Sequence, residues 1–303
     1  HMELIADSSS ADLIPLLARQ FDEPMVDSSM IPTWLISKLV REHCTVALGG
    51  DGADELFAGY AHYSNLLWIQ EHLKHIPTSL KHLIAGTSKR LLPHGIKGRN
   101  YLSGLNVDLN QSLPFLTNFF DINTRSRLMQ DQPRQLTAEH IREKTISNQV
   151  DLLQRMTRTD FSNYLAEDIL VKVDRSSMHN SLEIRSPFLD QHVIEFAYGK
   201  VPSYLKADLN EKKIFLKKIA PKLLPTEFEL NRKQGFSIPL EKWLKKGPYR
   251  DLFWDTLTSS DCMFDKKAVK RLYRNHNLGF RNGERLFSLV LFELWRKAYG
   301  ISH

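Results

Sequence analysis

The stretch Thr45–Tyr60, TVALGGDGADELFAGY, constrains this chain more than any other. Val46, Ala47 and Leu48 form an apolar run too short for a helix and predict a buried strand. The run enters Gly49-Gly50-Asp51-Gly52, where three glycines allow a tight turn and close approach of a ligand to backbone. Asp54-Glu55-Leu56-Phe57 then opens a helical pattern, with acids in the first turn where the helix dipole favours them. Strand, glycine turn and helix start describe the carboxyl end of a strand in an open α/β sheet, the usual place for such sheets to bind ligands.

Two readings of this loop compete. In one, Asp51 and Asp54 cap a helix and the glycines only make the turn. In the other, free backbone N–H groups cradle phosphate while the carboxylates hold a hard cation or a charged substrate. Asp51, Asp54 and Glu55 would repel a bare phosphate. The second reading therefore requires a metal ion or a basic group between acids and phosphate.

The chain has 303 residues, enough for one large domain or two modest ones. No apolar run approaches the roughly 18 residues needed to span a membrane, and no signal peptide opens the chain. His1-Met2 reads as a tag remnant. Cys44 and Cys262 are too few for a zinc site or a disulfide framework, which fits a reducing, cytoplasmic setting. Cys44, beside the strand, reads as a small core residue. The formal net charge of +6 is concentrated: from Lys206 to Arg250 there are twelve Lys/Arg against five Asp/Glu. Such a surplus serves nucleic acid, an anionic surface, a phosphate-rich ligand or simply a solvated face.

Elsewhere the periodicity is helical. Ile31–Arg41 carries Leu35, Ile36, Leu39 and Val40 as one apolar stripe, with Pro32 suited to a first turn. Lys81–Asn100 reads as a short helix followed by an exposed basic loop. Residues 134–172 contain neither Gly nor Pro and are helix-rich; Asp168 and Asp174 flank Lys172 and Arg175 and predict surface ion pairs. Only one strand stands out, fewer than a sheet-based nucleotide domain needs.

The run GGDGADELFAGY resembles the signature of the synthetase domain in glutamine-hydrolysing asparagine synthetases. Asp22-Glu23-Pro24, Ile31-Pro32-Thr33, the run from Asp168 to Met178 (DILVKVDRSSM), the run from Leu182 to Asp190 (LEIRSPFLD) and the run from Arg232 to Pro239 (RKQGFSIP) resemble further motifs of the same family, in the same order. The resemblance implies an α/β, predominantly helical chain. Its first part, residues 3–75, would be a partial parallel-sheet domain of the adenine-nucleotide hydrolase-like (PP-loop ATPase) type lacking its first strands. Residues 76–303 would be mainly helical and include a catalytic loop at 231–239. The family's Ser-Gly-Gly-x-Asp-Ser pyrophosphate loop has no counterpart, the only Gly-Gly being Gly49-Gly50, and no Walker sequence replaces it. The chain is thus expected to be the carboxyl-terminal portion of a longer amidotransferase, inactive alone, whose glutaminase domain and PP-loop segment lie upstream.

The resemblance also implies a chemistry. The cofactors would be ATP and Mg²⁺; a carboxylate, aspartate by default, would be adenylated, and ammonia from glutamine would displace AMP. Gly49 and Gly50 would offer backbone to the nucleotide, and Asp54 would ligate Mg²⁺. Asp51 would contact the substrate amine or take a proton from ammonia, and Lys233 would pair with the α-phosphate. Arg175 and Arg185 would grip substrate or nucleotide anions, each with a structural ion pair as the plainer reading. Gly49 stands where relatives carry Ser and Asp51 where many carry Glu, which leaves a sugar or peptide carboxylate open as acceptor. A homodimer is compatible with this picture, while membrane and nucleic-acid partners are not favoured. The alternative is a non-catalytic module of the same ancestry that binds protein or RNA.

Overall fold

The computed structural model describes residue 3, residues 11–230 and residues 238–302. Helices account for most of it, joined to a small parallel sheet of two strands, β1 (Val46–Leu48) and β2 (Glu183–Arg185). The register pairs Val46 with Glu183, Ala47 with Ile184 and Leu48 with Arg185. Parallel neighbours need a crossover, and here it is the long helical excursion between residues 49 and 182. β2 lies inside LEIRSPFLD and escaped the sequence reading because one apolar residue between two charged ones carries no measurable alternation.

The main core joins the two ends of the described chain. Ile14 and Leu17 of the Leu13–Gln20 helix pack with Leu286, Phe287 and Val290 of the Gly283–Ala298 helix, and Phe253 closes the cluster. The sequence LFSLVLF is apolar on several faces, which suits a helix buried on more than one side. A smaller cluster secures the glycine turn. Leu56 and Phe57 pack with Ala197 and Val201, and the Phe57 ring stacks on Phe215 at 5.9 Å and meets Phe188 edge-on at 6.1 Å.

Several local expectations change. β1 is not buried: Val46 is 39% and Leu48 75% exposed, because both point to the same face of the two-stranded sheet, which the described residues leave largely uncovered. Cys44, at its entry, is exposed for the same reason. The Met30–Arg41 helix buries Met30, Ile31, Thr33 and Ser37 instead of its Leu35/Ile36/Leu39/Val40 stripe. It lies against the Leu170–Met178 helix. The Thr33 and Ser37 hydroxyls return to the carbonyls of Ser29 and Thr33, so these small polar residues cost little when buried. Lys172 belongs to no surface pair. It is buried, with its ammonium 2.6 Å from Asp27. The basic segment after Lys81 is a helix through Leu91, and Arg99 is buried against Asp121 at 2.7 Å.

Candidate active site at the glycine turn

β1 delivers the chain to the turn, and β2 holds it there. The Gly49 N–H donates to the Arg185 carbonyl at 2.8 Å, continuing the ladder one residue past β1. A side chain on Gly49 would bring its Cβ within 3.0 Å of the Asp51 carboxylate and 3.2 Å of Ile184, so any larger residue would crowd this loop. Gly50 looks onto open space, with nothing within 4 Å of where a Cβ would sit. Gly52 has φ +90° and a Cβ there would lie 2.3 Å from Leu189, so the turn into the Ala53–Phe57 helix admits only glycine.

The three acids of the loop go to three different places. Asp51 is half-buried, and its Oδ2 accepts from the Ser186 hydroxyl at 3.4 Å, tying the loop to the residue after β2. Asp54 meets Lys213, Nζ to Oδ1 at 3.0 Å. Glu55 turns inward, is 1% exposed, and accepts the Tyr60 hydroxyl at 2.5 Å. Burial pushes the Glu55 carboxyl up and outweighs that hydrogen bond. The repulsion that three adjacent acids would create is thus relieved from within: one is turned inward and one is paired with a lysine.

Sequence reasoning missed Lys213. It stands at the start of the Ile214–Ile219 helix, in a left-handed conformation (φ 53°, ψ 36°) unusual for a non-glycine residue. Its side chain and the Asp54 carboxylate pass over Gly59, where a Cβ would fall 1.7 Å from Asp54 Oδ1 and 2.3 Å from the Lys213 Cε. The last glycine of the signature is therefore a window for this ion pair. Lysines crowd residues 212–222, and nothing in their spacing distinguishes 213 from the rest.

Of the remaining called residues, Lys233 lies outside the described residues, with Arg232 and most of the 231–239 loop. Arg185 follows Ile184 on β2 and pairs with Glu183 at 2.8 Å, exposed. Arg175 bonds Asp174 at 2.8 Å and Asp22 at 3.3 Å. The Asp22 partner comes from the Asp22-Glu23-Pro24 motif, so two of the sequence motifs meet here. Behind the loop, the Tyr60 ring lies 5.7 Å from Tyr164, on a π-helical segment, Phe161–Ile169. Lys206, first residue of the basic surplus, is fully buried with its ammonium 4.5 Å from the Tyr198 ring. With Arg99 also buried, two cations of the nucleic-acid reading do not reach the surface.

A parallel strand ending in a glycine turn, within a predominantly helical chain, defines an α/β protein whose strand end is the place where such folds usually bind ligands. Residues 1–297 match the asparagine synthase family model, and the chain belongs to that family. It is 29% identical over 300 residues to a glutamine-hydrolysing asparagine synthetase of Bacillus subtilis, covering 97% of this chain and 46% of that protein. It is 30% identical over 307 residues to a putative glutamine-hydrolysing asparagine synthetase of Mycobacterium tuberculosis, with the same coverage. A putative synthetase of Methanocaldococcus jannaschii is 26% identical over 186 residues, 55% of this chain and 32% of that protein. The chain spans about half the length of the first two relatives, corresponding to their carboxyl-terminal part. No solved structure gives a significant match. Among the described residues no helix is long and apolar enough to cross a membrane.

Proposed function

We propose that this chain carries the acceptor end of an ATP-dependent amide ligase of the asparagine synthetase type. The observation that carries the reading is the turn itself: Asp51 and Asp54 at the mouth, Gly50 facing open space, and Lys213 held on Asp54 through the Gly59 window. In the reaction a substrate carboxylate oxygen bonds to the α-phosphorus of ATP and pyrophosphate leaves. Ammonia then attacks the acyl carbon, loses a proton, and AMP leaves with the transferred oxygen. Aspartate is the default carboxylate, and β1 and β2 belong to a larger nucleotide-binding sheet of the PP-loop type. The pyrophosphate loop and the ammonia-producing glutaminase lie in the rest of the longer protein, so this chain alone turns over no substrate. A cytoplasmic site of action follows from this chemistry.

A carboxylate suits magnesium, which keeps most of its ligands as water and phosphate and takes one or two from protein. Asp54 is the residue that would hold it, and bound there it would neutralise charge on the phosphates. Lys213 holds the Asp54 carboxylate in place. Asp51, held by Ser186, stands near enough to the open space beside Gly50 to accept the proton from ammonia. Lys233 is proposed as the partner of the α-phosphate. Arg175 and Arg185 act by exchanging their carboxylate partners for substrate anions; for the exposed Arg185 this exchange costs little.

The test uses the longer protein that contains this chain, supplied with ATP, aspartate and ammonia. AMP should appear in step with asparagine. Asp54→Asn should lower kcat by about 10²–10³, the usual loss when one electrostatic group is removed from a transition state. A parent protein that forms no AMP with any carboxylate, or an Asp54→Asn variant with full turnover, would overturn the reading.

A further inference from the structure

A second opening lies elsewhere: a cavity of about 820 Å³ between the Ile122–Met129 helix, the π-helical segment and the Gly283–Ala298 helix. Its walls are aromatic, with Phe119, Phe120, Phe264 and Phe292 among the lining residues. None of Gly49, Gly50, Asp51 or Asp54 lines it, and Tyr164 stands between the two sites.

Four carboxyl residues, Asp27, Asp131, Asp168 and Glu284, line this largely apolar chamber. Asp27 is satisfied by Lys172 at 2.6 Å. Among the described residues neither Asp168 nor Glu284 forms an ion pair of its own, although the Lys172 ammonium on Asp27 also faces Asp168. Asp168 Oδ1 is buried without a hydrogen-bond partner among the described residues. Glu284 accepts from the Ser28 hydroxyl at 2.8 Å. The two arginines in the lining are committed elsewhere: Arg125 forks onto Glu139 at 2.8 and 3.1 Å, and Arg134 meets Asp131 at 3.1 Å. Burial, then the facing Asp27, pushes the Asp168 carboxyl up to about 7, and burial likewise raises Glu284. Both acids thus sit in an apolar wall that disfavours their charge, and a buried carboxyl without a partner is costly unless something meets it.

We infer that this cavity binds an organic monocation, a primary amine or guanidine carried on an apolar body, with Asp168 and Glu284 receiving the charged head and the phenyl rings enclosing the rest. A bare metal ion is the wrong occupant. Among the described residues no three His, Cys, Asp or Glu side chains are placed to hold one, and the aromatic walls would give it nothing. A cation on an apolar body uses both features, since rings attract cations over their faces and remove apolar surface from water. The inference stands apart from the ligase reading, because it needs neither nucleotide nor turnover.

Calorimetric titration of this chain with 2-phenylethylamine, against its neutral isostere 2-phenylethanol, tests it without any activity assay. The amine should bind saturably at one site and at least about tenfold more tightly than the alcohol, the margin expected of a charge-assisted contact. Asp168→Asn and Glu284→Gln should each weaken the amine by about tenfold or more and leave the alcohol unchanged. Both replacements keep side-chain shape, and circular dichroism confirms the fold; should one fail to fold, the other carries the comparison. Equal binding of amine and alcohol, no amine binding at millimolar concentration, or two folded variants that bind the amine as well as the original would each overturn the inference.

Discussion

Asp54, Gly59 and Lys213 act as one device. The lysine reaches the carboxylate only because residue 59 has no side chain, and its own backbone is left-handed at φ 53°. Gly59→Ala should therefore displace the pair and lower kcat of the longer protein by about 10² or more, with the fold retained. Steady-state kinetics with a thermal melt checks both halves; unchanged kcat would remove Lys213 from the account. Asp168 offers a prediction of a different kind. Its carboxyl is raised from an ordinary 3.8 to about 7 in the folded chain, facing Asp27, Lys172, Tyr164 and, across the cavity, Glu284. A raised acid holds its proton more tightly folded than unfolded, so its contribution is complete below the unfolded value and is lost as pH rises through the folded one. Asp168→Asn should gain on the original chain by on the order of 1–3 kcal/mol between about pH 4 and pH 8. Urea unfolding at both ends of that window reads the difference; a constant offset would contradict it.

Elements were legible where they were long and periodic. The strand-turn-helix at 45–57 could be read from residue order alone because glycines and acids punctuate it. β2 could not, since three residues carry no period. Nor could the buried face of the Met30–Arg41 helix: apolar spacing pointed to Leu35 and Ile36, whereas small hydroxyl residues take the contact with the Leu170–Met178 helix. Motif order placed Asp51, Gly49 and Gly50 correctly in one turn. It could not bring in Lys213, whose approach depends on a left-handed residue and a glycine 154 positions earlier (213 − 59). In the Gly283–Ala298 helix, Phe287 is fully buried with the Phe253 ring at 6.1 Å and tests that helix's weight in the core. Phe287→Ala should destabilise the chain by about 3–5 kcal/mol. A denaturation midpoint that barely moves would show that the helix is peripheral.

At the scale of the molecule, a chain half the length of its relatives keeps a closed core between the first and last helices described while the Val46/Leu48 face of β1 stands open. Leu48 and Val46 are the apolar surface that helices flanking the proposed nucleotide-binding sheet would cover. The family membership explains the ordered motifs. What unites them is the proposal that a carboxylate oxygen is carried to phosphorus and leaves with AMP. Aspartate labelled with ¹⁸O in its side-chain carboxylate, incubated with the longer protein, ATP and ammonia, follows that oxygen. The account predicts one labelled oxygen in AMP for each asparagine formed. Label in inorganic phosphate, with ADP as the nucleotide product, or asparagine formed without label in AMP, would contradict it.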